Sequence, residues 1–374
     1  MSKTKILFLT KYVCRSTTDF SGPVGERYAG LYYLFMERFR TDHEFFWHTG
    51  DGITYEYMAD SNCLQPRHLS EKKKAPGSLH KLLFSFCRSN NGFRKIIVVS
   101  YPYFPRSVWL ATLPLLLKPF GIRVIVDVQD LPREIPWTRS HLLWWIVDRL
   151  YYLYADFIVN ATECAKLFTT KARGYMAVIP MAAHHNIIIP GPAAATRNGL
   201  TLGYIGTVSK SRGFPEVINV VKNLRMQGLA IDLVINGPNP ENIDLGSYSW
   251  LRYGGVQPLE QLAQLLRTID VGLIPYLDRE YWGRMSITKM ATYMAAGIPI
   301  LCLELAETSS ILAKWNCGIS VQDWDGMTAA VKKLYDDKSL VQSLGQNARR
   351  AALEEYNWAK QVQKLKEFIE TVAN

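Results

Sequence analysis

Two short stretches of this 374-residue chain set cations beside backbone positions where donors go unpaired. The first, GTVSKSRG (206–213), separates the apolar run LTLGYI from FPEVINVV. A strand therefore passes to a helix through two glycines, several hydroxyls and the cations Lys210 and Arg212. Amides at a helix start and the planar fork of an arginine suit a phosphate. The spacing is neither GxGxxG nor GxxxxGK[ST], which argues against dinucleotide and P-loop binding. The second, SITKMATYMAAGIPILC (286–302), reads as a short helix stopped by Gly297. Lys289 falls in its first turn, where the helix dipole favours an anion over a cation. A negative ligand in front of Lys289 and the amides of Ile287 and Thr288 removes that conflict. Helical spacing puts Lys289, Thr292 and Ala296 on one face, with Ile287, Met290 and Met294 turned to the core.

Elements that position these loops can be read on either side. In the first half, KILFLT, KIIVVS, RVIVDV and DFIVNA read as strands, alternating with helical patterns at 25–39, 108–121 and 142–155. Continuous Val/Ile/Leu runs separated by helices point to a parallel sheet covered on both faces. A Pro/Gly/Ala-rich stretch at 187–199 reads as a linker. A second alternation follows, with strands at 200–206, 231–237, 271–276, 298–304 and 318–321, and the chain ends in helix. The expected class is α/β, with an N-terminal domain at 1–190, a second at 198–355 and a C-terminal helix at 356–374 that returns to the N-terminal domain. Ligands of such sheets bind beyond the carboxyl ends of the strands, which selects loops 11–26, 101–107, 129–140, 207–213, 237–242 and 277–289.

Composition bounds the function. Hydrophobic residues make up 48% and charged residues 20%, as in a globular protein. No apolar run reaches the roughly 18 uncharged residues of a membrane span. Six cysteines (14, 63, 87, 164, 302 and 317) show no metal-ligand spacing, so we expect reduced thiols, no metal and a cytoplasmic location. His184 and His185 are adjacent in an extended segment and point to opposite sides. The net charge of +10 sits in the first half: 24 Lys+Arg against 15 Asp+Glu in residues 1–196, and 19 against 18 in 197–374. Its densest part runs from Arg67 through Lys72, Lys73 and Lys74 to Lys95. Such a patch suits a nucleic acid, an anionic membrane or an acidic substrate.

The segments YIGTVSKSRGFPEVINVV, VINGPN, YGGVQPLEQLAQLLRTIDVGLIPY, TKMATYMAAGIPIL and YNWAKQVQKL occur in the order seen in the nucleotide-sugar half of GT-B glycosyltransferases. The chain resembles the large retaining class of that fold, the group 1 (family 4-like) glycosyl transferases. Before residue 190 the likeness is looser, carried by VIVDVQDLPRE and ADFIVNATECAKLF. It implies two Rossmann-like domains facing a cleft, and transfer of a sugar from a nucleotide-diphosphate sugar, UDP ahead of GDP, to a glycan or lipid-linked hydroxyl. Arg212 and Lys289 would hold the diphosphate, helped by Gly206, Thr207, Ile287 and Thr288. Gly237, Pro238, Gly255 and Val256 would flank the nucleoside, while Gly22, Gly25 and Asp127 would approach from the acceptor half. Asp130, Glu134 or Glu280 would orient or deprotonate the acceptor. No cofactor or metal is implied beyond the co-substrate, and no nucleic acid. The basic patch then reads as contact with the inner face of a bacterial membrane, in surface polysaccharide assembly. A nucleotide-sugar epimerase-like enzyme and a non-catalytic scaffold are the alternatives. Two departures stand out: the glutamate that relatives place on the ribose falls at Thr292, and a second, eight residues earlier, at Arg284.

Overall fold

The computed structural model describes residues 4–10, 27–49, 54–59, 64–70, 83, 86, 94–101, 117–129, 131, 149–191 and 199–374. The chain divides into two compact units, Met1–Pro180 with Gln361–Asn374, and Met181–Lys360. Residues 181–191, at the edge of the stretch read as a linker, pack with the second unit. Arg349 donates there to the carbonyls of His185 and Ile188, each at 3.1 Å.

The first unit is built on eight strands: β1 (Thr4–Thr10), β2 (His43–Thr49), β3 (Thr54–Ala59), β4 (Leu64–Ser70), β5 (Arg94–Tyr101), β6 (Ile122–Val128), β7 (Asp156–Val159) and β8 (Met176–Val178). They lie in the order β4-β3-β2-β1-β5-β6-β7-β8. The fully buried β1 and the β6 strand, buried throughout except at Arg123, are the aliphatic runs KILFLT and RVIVDV, as expected for a sheet covered on both faces. The sequence reading left 40–93 without strands, yet β2 extends the sheet in parallel and β3 and β4 add an antiparallel edge. These strands escaped notice because TYEYMA and LQPRHLS contain no continuous aliphatic run. Pro66 is tolerated because β4 is the edge strand. The last helix, Trp358–Ala373, enters this unit at Gln361. Arg123 Nε donates to the carbonyl of Val372 (2.8 Å), and the Lys366 ammonium lies 5.0 Å from the centre of the Phe39 ring.

Six strands form the second sheet: β9 (Leu200–Ile205), β10 (Ile231–Asn236), β11 (Leu251–Tyr253), β12 (Val271–Ile274), β13 (Ile300–Leu303) and β14 (Gly318–Val321). All pair in parallel, in the order β11-β10-β9-β12-β13-β14. The chain thus winds outward one way from β9 to β11 and the other way from β12 to β14. Order reverses between β9 and β12, and a crevice opens beyond the strand ends at such a reversal.

The helix Thr288–Ala295 corrects the two-faced reading of its sequence. Lys289 through Ala295 are all buried, the lysine included. Tyr293 fixes this helix to the sheet: its hydroxyl donates to the carbonyl of Gly203 (3.1 Å) and accepts from the amide of Ile205 (3.0 Å). Gly272 makes room for the ring, since a β-carbon there would stand 2.6 Å from it.

Candidate functional site

Gly206 ends β9 with φ +128, a conformation that side chains disfavour. The reason lies opposite. A β-carbon at this position would come within 2.9 Å of Lys289 Nζ and 3.6 Å of Arg212 Nη1. The loop after β9 and the buried helix therefore bring together the two cations singled out in the sequence, although 77 residues separate them (289 − 212).

Neither cation pairs with a carboxylate among the described residues. Lys289 is 7% exposed, and its Nζ is buried with no hydrogen-bond partner. It stands instead over two aromatic faces, 3.7 Å from the ring centre of Tyr204 and 4.8 Å from that of Tyr276. The half-buried Arg212 guanidinium lies 5.3 Å from the ring centres of Tyr276 and Trp282. Burial pushes the Lys289 ammonium well below its ordinary value, and the Arg212 charge pushes it further. Burial likewise holds the phenols of Tyr204 and Tyr276 above theirs, so both rings stay neutral. A buried ammonium that no protein acceptor meets is costly unless an anion pairs with it. Two cations brought together beside Gly206 at a strand-order reversal can hold a group carrying two or more negative charges.

Neighbouring loops are tied to this one through the backbone. The amide of Gly206 donates to the carbonyl of Asn236 (2.8 Å), that of Val208 to Pro238 (2.8 Å) and that of Gly237 to Gly255 (2.7 Å). Tyr253 donates to the carbonyl of Gly237 (2.9 Å), and Tyr204 to that of Thr207 (2.7 Å). Gly206, Thr207, Gly237, Pro238 and Gly255 thus form one connected rim, with Val256 75% exposed beside it. Ile287 caps the start of the lysine helix and Thr288 opens it. Thr292 is buried one turn on, its hydroxyl donating to the carbonyl of Thr288 (3.3 Å).

Other sequence-named residues lie elsewhere. Glu280 is exposed and pairs with Arg284 at 3.2 Å. Asp127, in the first unit, is fully buried. Arg27 holds both of its oxygens at 2.8 and 3.1 Å, and Gln129 donates to one of them at 2.7 Å. Gly22, Gly25, Asp130 and Glu134 fall outside the described residues, as does most of the Arg67–Lys95 patch. Among the described residues no three His, Cys, Asp or Glu side chains cluster as for a metal, and no helix is long and apolar enough to cross a membrane. Sequence reasoning missed Tyr204, Tyr276 and Trp282. The signal for Tyr204 and Tyr276 was an aromatic residue inside or just beyond a strand, whereas Trp282 lies in the short helix Arg279–Trp282 and gave none.

Comparison with solved structures decides the fold. Sucrose-phosphate synthase from Thermosynechococcus elongatus superposes with a TM-score of 0.68 at 14% identity, covering 99% of both chains. The fold is GT-B. HepE of Anabaena, solved in complex with UDP and glucose, gives a TM-score of 0.66 at 13% identity over 98% of this chain and 100% of that one. Within the GT-B chain, residues 199–337 match the family model described as glycosyl transferases group 1. The capsular polysaccharide biosynthesis glycosyltransferase CapM of Staphylococcus aureus is 22% identical over 161 residues, a match that spans 41% of either protein. The Gly206 loop, the rim around it and the lysine helix all lie inside the family-matched segment.

Proposed function

We propose that this GT-B protein is a glycosyltransferase that moves a sugar from a nucleotide-diphosphate sugar to a hydroxyl of a glycan or lipid-linked acceptor. The observation that carries this reading is the pair Lys289 and Arg212, buried and half-buried, without a carboxylate partner among the described residues and brought together beside Gly206. In the transfer, the bond between the sugar C1 and the diphosphate oxygen breaks and a bond from C1 to the acceptor oxygen forms. The acceptor loses its proton. Negative charge grows on the departing diphosphate, where a lysine and an arginine in a low-dielectric site stabilise it most. These two cations supply the charge that a metal supplies in other transferases, so the reading is metal-independent.

The connected rim from Gly237 to Gly255 suits the nucleoside. A uridine donor is favoured, in line with the UDP bound by HepE. The likeness to the group 1 family supports retention at C1, and the CapM match supports a role in bacterial surface polysaccharide. The basic charge of the first half fits work at the cytoplasmic face of an anionic membrane. The test is release of free UDP from a panel of UDP-sugars, with and without lipid-linked acceptors. Release that depends on Lys289 supports the reading; no release with any UDP- or GDP-sugar, together with no nucleotide binding, refutes it.

A further inference from the structure

Tyr276 lies just beyond β12 and is 2% exposed. It belongs to the core of the second unit, and its ring faces both cations of the site. Lys289 Nζ is 4.8 Å from its centre and the Arg212 guanidinium carbon 5.3 Å. Lys289 Nζ also lies 3.7 Å from the ring centre of Tyr204, and the Arg212 guanidinium 5.3 Å from that of Trp282. Tyr276 and Trp282 pack against each other, ring centres 4.6 Å apart. Tyr276 and Trp282 thus form a packed pair, and Tyr204 faces the same lysine as Tyr276, so three aromatic faces meet two like charges.

We propose that Tyr276, with Tyr204 and Trp282 beside it, is a positioning residue: an aromatic platform that holds Lys289 and Arg212 as a preformed clamp for the donor diphosphate. This rests on the proposed function and deepens it. Two cations side by side repel, and a buried ammonium without acceptors tends to lose its proton or swing to water. The groups facing Lys289 are Tyr204 on β9, Arg212 on the following loop and Tyr276 after β12; no carboxylate among the described residues joins them. A carboxylate would hold the cations more tightly but would compete with the diphosphate. The negative face of an aromatic ring holds a cation without cancelling its charge, by an interaction that strengthens when desolvated. Arginine stacks on such faces especially well. The clamp is then in place before the donor arrives, so ordering its side chains costs little on binding.

A binding experiment on the full chain separates this from a merely structural role. UDP and uridine are titrated calorimetrically into wild type, Tyr276→Phe, Tyr276→Leu, Trp282→Leu and Lys289→Ala. Phe keeps the ring, so UDP affinity should stay within about threefold of wild type. Tyr276→Leu should lose about tenfold or more for UDP, the size of a desolvated cation–π contact, while uridine binding stays unchanged. The half-buried Trp282 gives a milder variant should Tyr276→Leu misfold, with a loss of about threefold confined to UDP. If UDP and uridine weaken in parallel, or if Tyr276→Leu and Trp282→Leu bind UDP like wild type while Lys289→Ala does not, the platform is overturned and the diphosphate site stands. If wild type binds neither ligand, the proposed function itself fails.

Discussion

Lys289 occupies the space that a side chain at position 206 would need: its Nζ lies 2.9 Å from where a β-carbon on Gly206 would begin. The glycine and the lysine are one device, formed by the end of β9 and a helix that starts 82 residues later (288 − 206). Gly206→Ala should therefore displace the amine and strain a backbone held at φ +128. We expect a stability loss of about 1–3 kcal/mol with near-complete loss of nucleotide binding. Thermal melting with and without UDP measures both; a melting shift on adding UDP as large as that of wild type would show that the close approach is unimportant.

Lys289 should couple binding to protons. Burial, then Arg212, pushes its ammonium well below the ordinary 10.5. Between those two values the unfolded chain binds more protons than the folded one. The penalty is therefore fully present below the folded value and fades as pH rises toward the ordinary one. Lys289→Met should gain over unliganded wild type increasingly as pH falls through this window, and converge with it in alkali. A bound diphosphate restores the charge, so binding inside this window takes up a proton. Calorimetry of UDP in two buffers of different ionisation enthalpy reads that uptake directly; heats independent of buffer across an alkaline pH series would rule it out.

The same helix shows what the sequence disclosed and what it withheld. Strands β9, β10, β12, β13 and β14 were legible because Val/Ile/Leu runs bounded by glycine or proline signal buried parallel strands. Arg212 and Lys289 were legible because a cation at a strand-to-helix turn or in a first helical turn needs a reason. The burial of Lys289 was not, since periodicity assigned it a polar face, whereas Tyr293 anchors the helix to the sheet and the rings of Tyr204 and Tyr276 lie against the lysine. Tyr276 and Trp282 were hidden for a related reason. Aromatic residues near strand ends read as core, and only the fold shows that a ring face meets a cation.

The family resemblance would put a ribose-binding glutamate at Thr292, whose hydroxyl proton is spent on the carbonyl of Thr288 at 3.3 Å. It can accept from a ribose hydroxyl but has no proton left to donate. A single neutral contact is worth about 1 kcal/mol, so Thr292→Val should weaken UDP and uridine alike by about fivefold. A loss of a hundredfold in fluorescence-detected competition would mean that this threonine bears the ribose as a carboxylate would.

The first unit is held at its strand ends by a buried ion pair. Arg27 and Asp127 are 1% and 0% exposed, and the arginine also donates to the carbonyl of Ile179 at 2.9 Å. Replacing Arg27 by Met strands a carboxylate in the interior at a cost of about 3–5 kcal/mol. Urea denaturation should show that loss. The double variant Arg27→Met with Asp127→Leu should recover most of it, because no charge is then left unpaired; a double variant as unstable as the single one would contradict the pairing.

Titration calorimetry of UDP against wild type and Lys289→Ala tests the diphosphate site most directly. We expect saturable binding by wild type and a loss of about a hundredfold in the variant, the scale of a desolvated charge-assisted contact. Equal affinity in the two proteins would contradict the site, and so would an absence of binding to either.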